Sequence, residues 1–155
     1  MTRHLAQFNV GRLKGDENDP RMAGFYANLE RINALAERMP GFVWRLKADG
    51  GADAALVMSG DEAVAFTLSV WESIEALEGF VWQTAHAKVY NRKAEFFEKH
   101  AAPNLVLWWI DAGHIPTVAE ARERLDHLIA NGSSEFAFAW EAAPAAKLWR
   151  EKRCA

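Results

Sequence analysis

From Leu5 to Val10 the chain alternates: Ala6, Phe8 and Val10 point one way, and Leu5, Gln7 and Asn9 the other. This is a half-buried strand. A polar loop, Gly15 to Asp19, follows, with Asp19 placed to cap a helix that starts at Pro20. Met22, Phe25, Leu29, Ile32, Leu35 and Ala36 then recur at helical spacing, and Pro40-Gly41 ends the pattern. Phe42 to Leu46 alternates again and predicts a second strand. Asp49-Gly50-Gly51 is a turn signal, and residues 52–62 read as an extended loop. Val64 to Trp71 is the clearest strand: Val64, Phe66, Leu68 and Val70 alternate with Ala65, Thr67, Ser69 and Trp71.

Ser73 is a cap for a helix striped by Ile74, Leu77 and Val81, and a second helical stretch runs from about Ala85 to Lys99. Pro103-Asn104 interrupts. Leu105 to Ile110 is an unbroken apolar run, the signature of a strand buried on both faces. Thr117 and Glu120 form a capping box for a helix through Val118, Ala121, Leu125 and Leu128, which Asn131-Gly132 ends. Phe136, Phe138 and Trp140 alternate in a last predicted strand. A basic, Ala-rich tail follows Glu141, so residues 1–141 are read as one domain and 142–155 as a C-terminal tail.

The first six elements run strand, helix, strand, strand, helix, strand. That order predicts an α+β fold of the ferredoxin-like β-α-β-β-α-β type, with an added C-terminal helix and strand. With Ala6, Phe8 and Val10 set against the helices, the opposite sheet face would be bare and would collect Gln7, Asn9, Thr67, Ser69 and Trp71. An open face carrying Trp is costly in water. A homodimer packing two such faces is the expected remedy.

Composition sharpens this picture. The 155 residues hold 7 Trp and 9 Phe but only 2 Tyr, an aromatic set with few hydroxyls, so something large and apolar is filled or lined. A formal net charge of -3 gives no electrostatic footprint for nucleic acid. No apolar run approaches the roughly 20 residues of a membrane span. The start lacks a signal-peptide core, so a cytoplasmic location is expected. Cys154 has no second thiol to pair with.

The stretch from Trp71 through Ser73 to His86 resembles the strand-end and helix signature of the dimeric α/β-barrel superfamily, which includes antibiotic-biosynthesis-type monooxygenases. His4 to Asn9, Gly41 to Leu46, Ser69 to Ser73 and Trp108 to Thr117 together resemble an uncharacterised bacterial domain family of that superfamily. The resemblance implies the fold and a dimer, but no assigned reaction. Relatives in the superfamily include cofactor-free oxygenases of phenolic or quinol-like substrates, haem-binding proteins and plain small-molecule binders, so fold leaves the function open.

His86 is the first candidate. It would serve as a general base, or as the axial ligand of a haem. The resemblance to haem-degrading relatives pairs it with Asn9. Its duller role is a helix-end His satisfying a backbone carbonyl. Gln7, Asn9, Thr67 and Ser69 offer amides and hydroxyls to orient a ligand oxygen, and Arg45 offers a cation for a carboxylate; interface hydrogen bonds are the plain alternative. His114, in a Gly- and Pro-shaped loop, is a second candidate base, or simply packs over its turn. Trp71, Trp82, Trp108 and Trp109 would line a pocket for a flat ligand, or belong to the core or an interface.

No phosphate loop, dinucleotide fingerprint, nucleophile elbow or zinc motif occurs. The sequence therefore predicts a dimer binding a small apolar or aromatic molecule, with monooxygenase-like oxidation, cofactor-free or haem-dependent, as the expected activity. A non-catalytic binding or dimerisation module is the competing expectation.

Overall fold

The computed structural model describes residues 2–15, 18–47, 57–58, 64–84, 86–99 and 102–143. Its centre is an antiparallel sheet of β1 (Arg3–Arg12), β2 (Phe42–Arg45), β4 (Val64–Trp71) and β5 (Leu105–Asp111), in the order β2-β4-β1-β5. A two-residue strand β3 (Val57–Met58) also pairs with β4, opposite Phe66 and Ala65. The predicted turn at 49–51 lies outside the described residues. With α1 (Ala23–Arg38) between β1 and β2, and α2 (Ile74–Gln83) between β4 and β5, this is the expected ferredoxin-like α+β fold.

Local chemistry sets the element ends. Asp19 accepts from the Arg21 N–H at 2.9 Å and caps a 3-10 turn, Pro20–Met22, that leads into α1. Ser73 accepts from the Ala76 N–H at 3.1 Å at the start of α2. Thr117 accepts from Glu120 N–H at 3.1 Å and opens α5 (Val118–Asn131). Gly41 turns the chain from α1 into β2 with φ +87, and a Cβ there would sit 2.5 Å from the Ala76 methyl. Only glycine fits both demands.

The predicted helix over 85–99 is two short helices, α3 (His86–Asn91) and α4 (Lys93–Phe96). After Phe96 the chain extends, because Phe97 forms a bridge with Leu13 beyond the end of β1. The Phe97 ring occupies the place where a Gly11 side chain would stand. The predicted last strand at Phe136–Trp140 is not one. Phe138 makes a single bridge to Leu107, exchanging backbone hydrogen bonds of 2.8 and 2.9 Å. The Ser133 and Ser134 hydroxyls accept from the N–H groups of Ala139 and Phe136, which curls the backbone away from a ladder.

The larger correction concerns the faces. Leu5, Trp71 and Leu107 pack with Ile32 and Ala36 of α1 and Ile74, Leu77 and Phe80 of α2. By alternation, Gln7, Asn9, Thr67 and Ser69 share that side, so the face expected to be bare is the one under α1 and α2. The opposite face, with Ala6, Phe8, Phe66, Leu68, Val70, Val106 and Trp108, is not bare either. It packs against Ala121, Leu125 and Leu128 of the added helix α5. Phe8 is 0% exposed and Leu68 1% in a single chain. Both faces are apolar enough to bury, so pattern alone could not order them. Packing decides between them: α1 and α2 both lie on the side of Leu5, Trp71 and Leu107. Among the described residues, the face from which a second copy was expected lies under α1 and α2, and the opposite one under α5.

Candidate functional site

The sheet face beneath α1 and α2 is laid out in rows by strand register. Across one row stand Phe42, Trp71, Leu5 and Trp109; across the next, Arg45, Ser69, Gln7 and Leu107; across the third, Thr67, Asn9 and Leu105. Thus Gln7, Asn9, Arg45, Thr67, Ser69 and Trp71, separated by up to 64 residues in sequence, share one strip. Apolar clusters flank it at both ends, around Trp71 and Phe80 at one and around Leu13, Phe25 and Phe96 at the other.

Gln7 is buried, yet its amide is poorly bonded. Its Nε2 reaches the Thr67 carbonyl and hydroxyl oxygens at 3.4 Å, and its Oε1 accepts from the Thr67 hydroxyl, also at 3.4 Å. These lengths are at the limit of a useful hydrogen bond. Asn9, in the next row, is exposed, so the strip opens towards solvent at that end. The Ser69 hydroxyl accepts from the Trp71 indole N–H at 3.0 Å, which fixes the ring. Arg45 is only 11% exposed in its side chain and donates to Glu37 of α1 at 2.7 Å. The Arg45 guanidinium is the main cause that holds the Glu37 carboxyl below the usual carboxylate range.

His86 reaches the strip through aromatic contacts. Phe42 meets Trp71 edge-on at 5.4 Å, Trp71 stacks on Phe80 at 5.3 Å, and Phe80 lies 4.8 Å from the His86 ring. The Thr84 hydroxyl donates to the Phe80 carbonyl at 2.6 Å and accepts from the His86 N–H at 3.2 Å, so the junction of α2 and α3 is pinned. Nδ1 of His86 lies 3.2 Å from the Val81 carbonyl. A carbonyl can only accept, so Nδ1 carries the proton and Nε2 keeps its lone pair. Burial pushes the imidazole pKa below its ordinary value, outweighing the Val81 contact, which pulls the other way. His86 thus lies against a backbone carbonyl, the plainer of the two expectations, and burial disfavours its charged form.

The remaining candidates stand apart. Trp82 packs edge-on against Tyr90 of α3 at 4.7 Å, and its buried indole N–H has no hydrogen-bond partner. Two residues on from Phe80 in a helix, it points away from the Trp71 stack. His114 is 47% exposed in its side chain and pairs with Glu120 at 2.9 Å beside the start of α5. No contact among the described residues joins it to the strip, so the two candidate bases are not one constellation. Sequence reasoning missed Phe80, Thr84 and Glu37, which carry or hold the site. Their only signal was spacing to His86 and Arg45.

A haem does not fit at His86. Its ring is packed between α2 and α3, 4.8 Å from Phe80 and 6.5 Å from Tyr90. Two hollows of 680 and 160 Å³ are open at the surface, one along β2 and one between α1 and α3, and His86 lines neither. Of the predicted site residues, Arg45 alone lines the larger.

Solved structures share the fold at low identity. NE2512, a protein of unknown function from Nitrosomonas europaea, is 14% identical with a TM-score of 0.52, covering 75% of this chain and 97% of its own. SnoaB, a cofactor-independent oxygenase from Streptomyces nogalater, is 15% identical with a TM-score of 0.47, over 72% of this chain and 95% of its own. Rv0793 from Mycobacterium tuberculosis is 12% identical with a TM-score of 0.49, over 74% and 99%. These likenesses concern the fold alone. No curated protein matches the sequence. No helix among the described residues is long and apolar enough to cross a membrane. Residues 4–154 match the family described as "Domain of unknown function (DUF3291)".

Proposed function

The chain belongs to that DUF3291 family, and from this premise we propose that it binds a small aromatic molecule against the strip under α1 and α2 and oxidises it without a cofactor. The single observation that supports this reading most is Gln7. A buried amide normally finds good hydrogen bonds, because burying one without them costs on the order of 1–3 kcal/mol. Among the described residues the Gln7 amide has only contacts of 3.4 Å, to Thr67. Its bonding capacity is unspent, and a ligand carbonyl or phenol oxygen would use it.

In this reading the ligand enters at the open Asn9 end of the strip, and Gln7, with Thr67 and Asn9, holds its oxygen. His86 Nε2 takes the proton from a phenol- or quinol-type group, which raises the electron density of the ring for attack on dioxygen. The overall change at an activated methylene is balanced by oxygen alone. Two hydrogens leave the carbon, one oxygen atom becomes its carbonyl, and the other departs as water. General-base help of this kind is worth about 10²–10⁴ in rate.

The test is oxygen uptake in an electrode cell with a panel of quinols and phenols, alongside quenching of Trp fluorescence by the same compounds. Uptake that falls at least a hundredfold in His86→Ala, with quenching retained, is the expected result. Quenching without uptake for every compound would favour a non-catalytic binding module. Neither signal with any of them would overturn the site.

A further inference from the structure

The 160 Å³ hollow between α1 and the α3–α4 turn has a lining that the site above does not use. Its rim carries three cations: Arg31 from α1, and Lys88 and Arg92 from the other side. Asn28 and Gly24 complete the α1 wall, and Ile32 and Phe96 form an apolar floor. Arg31 and Lys88 are exposed and make no ion pair among the described residues. Arg92 is bound on one edge only. Its Nε and one terminal nitrogen hold Glu95 at 2.8 and 3.2 Å, while the guanidinium sits 5.1 Å over the Phe96 ring. The groove thus concentrates three positive charges against one carboxylate, in a chain whose formal net charge is -3.

Gly24 is the second observation. It is the second residue of α1. Here a Cβ would stand 3.3 and 3.4 Å from the two terminal nitrogens of Arg92, so the missing side chain lets the guanidinium lie flat against α1. Like charges lining one groove repel one another, and a bound anion relieves that repulsion.

We propose that this groove binds the anionic group of a small molecule, a carboxylate or a phosphate. The three cations would contact it, with the Asn28 amide at the rim. Ile32 on the floor also belongs to the apolar cluster around Trp71 and Phe80, so an apolar body attached to that anion would meet hydrophobic surface. The inference stands independently of the oxidation proposed above, because it uses neither His86 nor Gln7.

The experiment is an amide NMR titration of the whole chain with inorganic phosphate and, separately, with benzoate at low ionic strength. Saturable shifts centred on Gly24, Asn28, Arg31 and Lys88 are expected with at least one of the two. Saturation by phosphate alone assigns a phosphoryl group, and by benzoate alone a carboxylate. Removing charge in Arg31→Gln or Lys88→Gln should weaken binding about tenfold each, since a bond to a charged group is worth about that factor. Arg31→Lys should retain most of it. Both positions tested, Arg31 and Lys88, are exposed, so unchanged spectra elsewhere verify the fold. Shifts that stay linear with concentration, or that are the same in the double Gln variant, would overturn the site.

Discussion

His86 donates its Nδ1 proton to the carbonyl of Val81, 3.2 Å away and five residues earlier in the chain. This contact, made where α2 ends, fixes the tautomer and leaves Nε2 as the basic nitrogen. It also ties the protonation of the ring to the fold. Burial lowers the His86 pKa below its ordinary value near 6.5. The unfolded chain therefore binds that proton more readily than the folded one.

Stability should follow. Above the ordinary His pKa the ring is neutral in both states and costs nothing. As pH falls below it, the unfolded state takes up the proton first, and stability drops until the folded pKa is passed. A melting curve series from pH 7.5 to 5 should show a decline that is flattened in His86→Gln. An NMR titration that puts the His86 midpoint above 6.5 would contradict the assignment.

Gln7→Leu separates binding from folding. Its amide hydrogen bonds are long, so replacing it with an apolar side chain should leave unfolding free energy within about 1 kcal/mol or raise it. Ligand quenching of Trp fluorescence should be lost. A urea midpoint that drops as for a core deletion would show that the amide holds the sheet instead.

Trp71 is 1% exposed and is contacted by Phe42 on β2 and Phe80 on α2. Trp71→Ala should cost about 3–5 kcal/mol in urea unfolding. Trp71→Phe keeps the ring contacts but loses the indole bond to Ser69, and should cost markedly less.

Gly41→Ala meets two penalties at once. A left-handed backbone costs a non-glycine residue about 1–2 kcal/mol, and the new methyl would press on Ala76 of α2. A loss of at least that size is expected by thermal or chemical unfolding. An unchanged melting temperature would show that the turn can relax.

Leu125 on α5 is packed against the sheet face that holds Phe8 and Leu68. Leu125→Asp should loosen α5 and expose that face, read as larger species in light scattering. The intact chain should show no association through this surface. If it does, α5 must leave the sheet in solution.

The hydrophobic pattern by itself determined the strands Leu5–Val10, Val64–Trp71 and Leu105–Ile110, the helix capped at Thr117, and the ferredoxin-like order. Those depend on period and capping, which are local. The polar set Gln7, Asn9, Thr67 and Ser69 was also legible as one group, because alternation assigns faces without tertiary information. What the pattern could not decide was which face α1 and α2 would cover. Leu5, Trp71 and Leu107 make one side as apolar as Phe8, Leu68 and Trp108 make the other, and only the packing of α1 and α2 on the first and of α5 on the second separates them. The role of α5 was hidden for the same reason: its Ala121, Leu125 and Leu128 stripe states that it buries a face, but not which one. The link from Trp71 through Phe80 to His86 rests on how α2 lies across the sheet, a packing angle that no spacing encodes. Tertiary structure alone moved the polar strip from an imagined open surface to the space beneath the helices, where a buried amide with little to bond to becomes a candidate site.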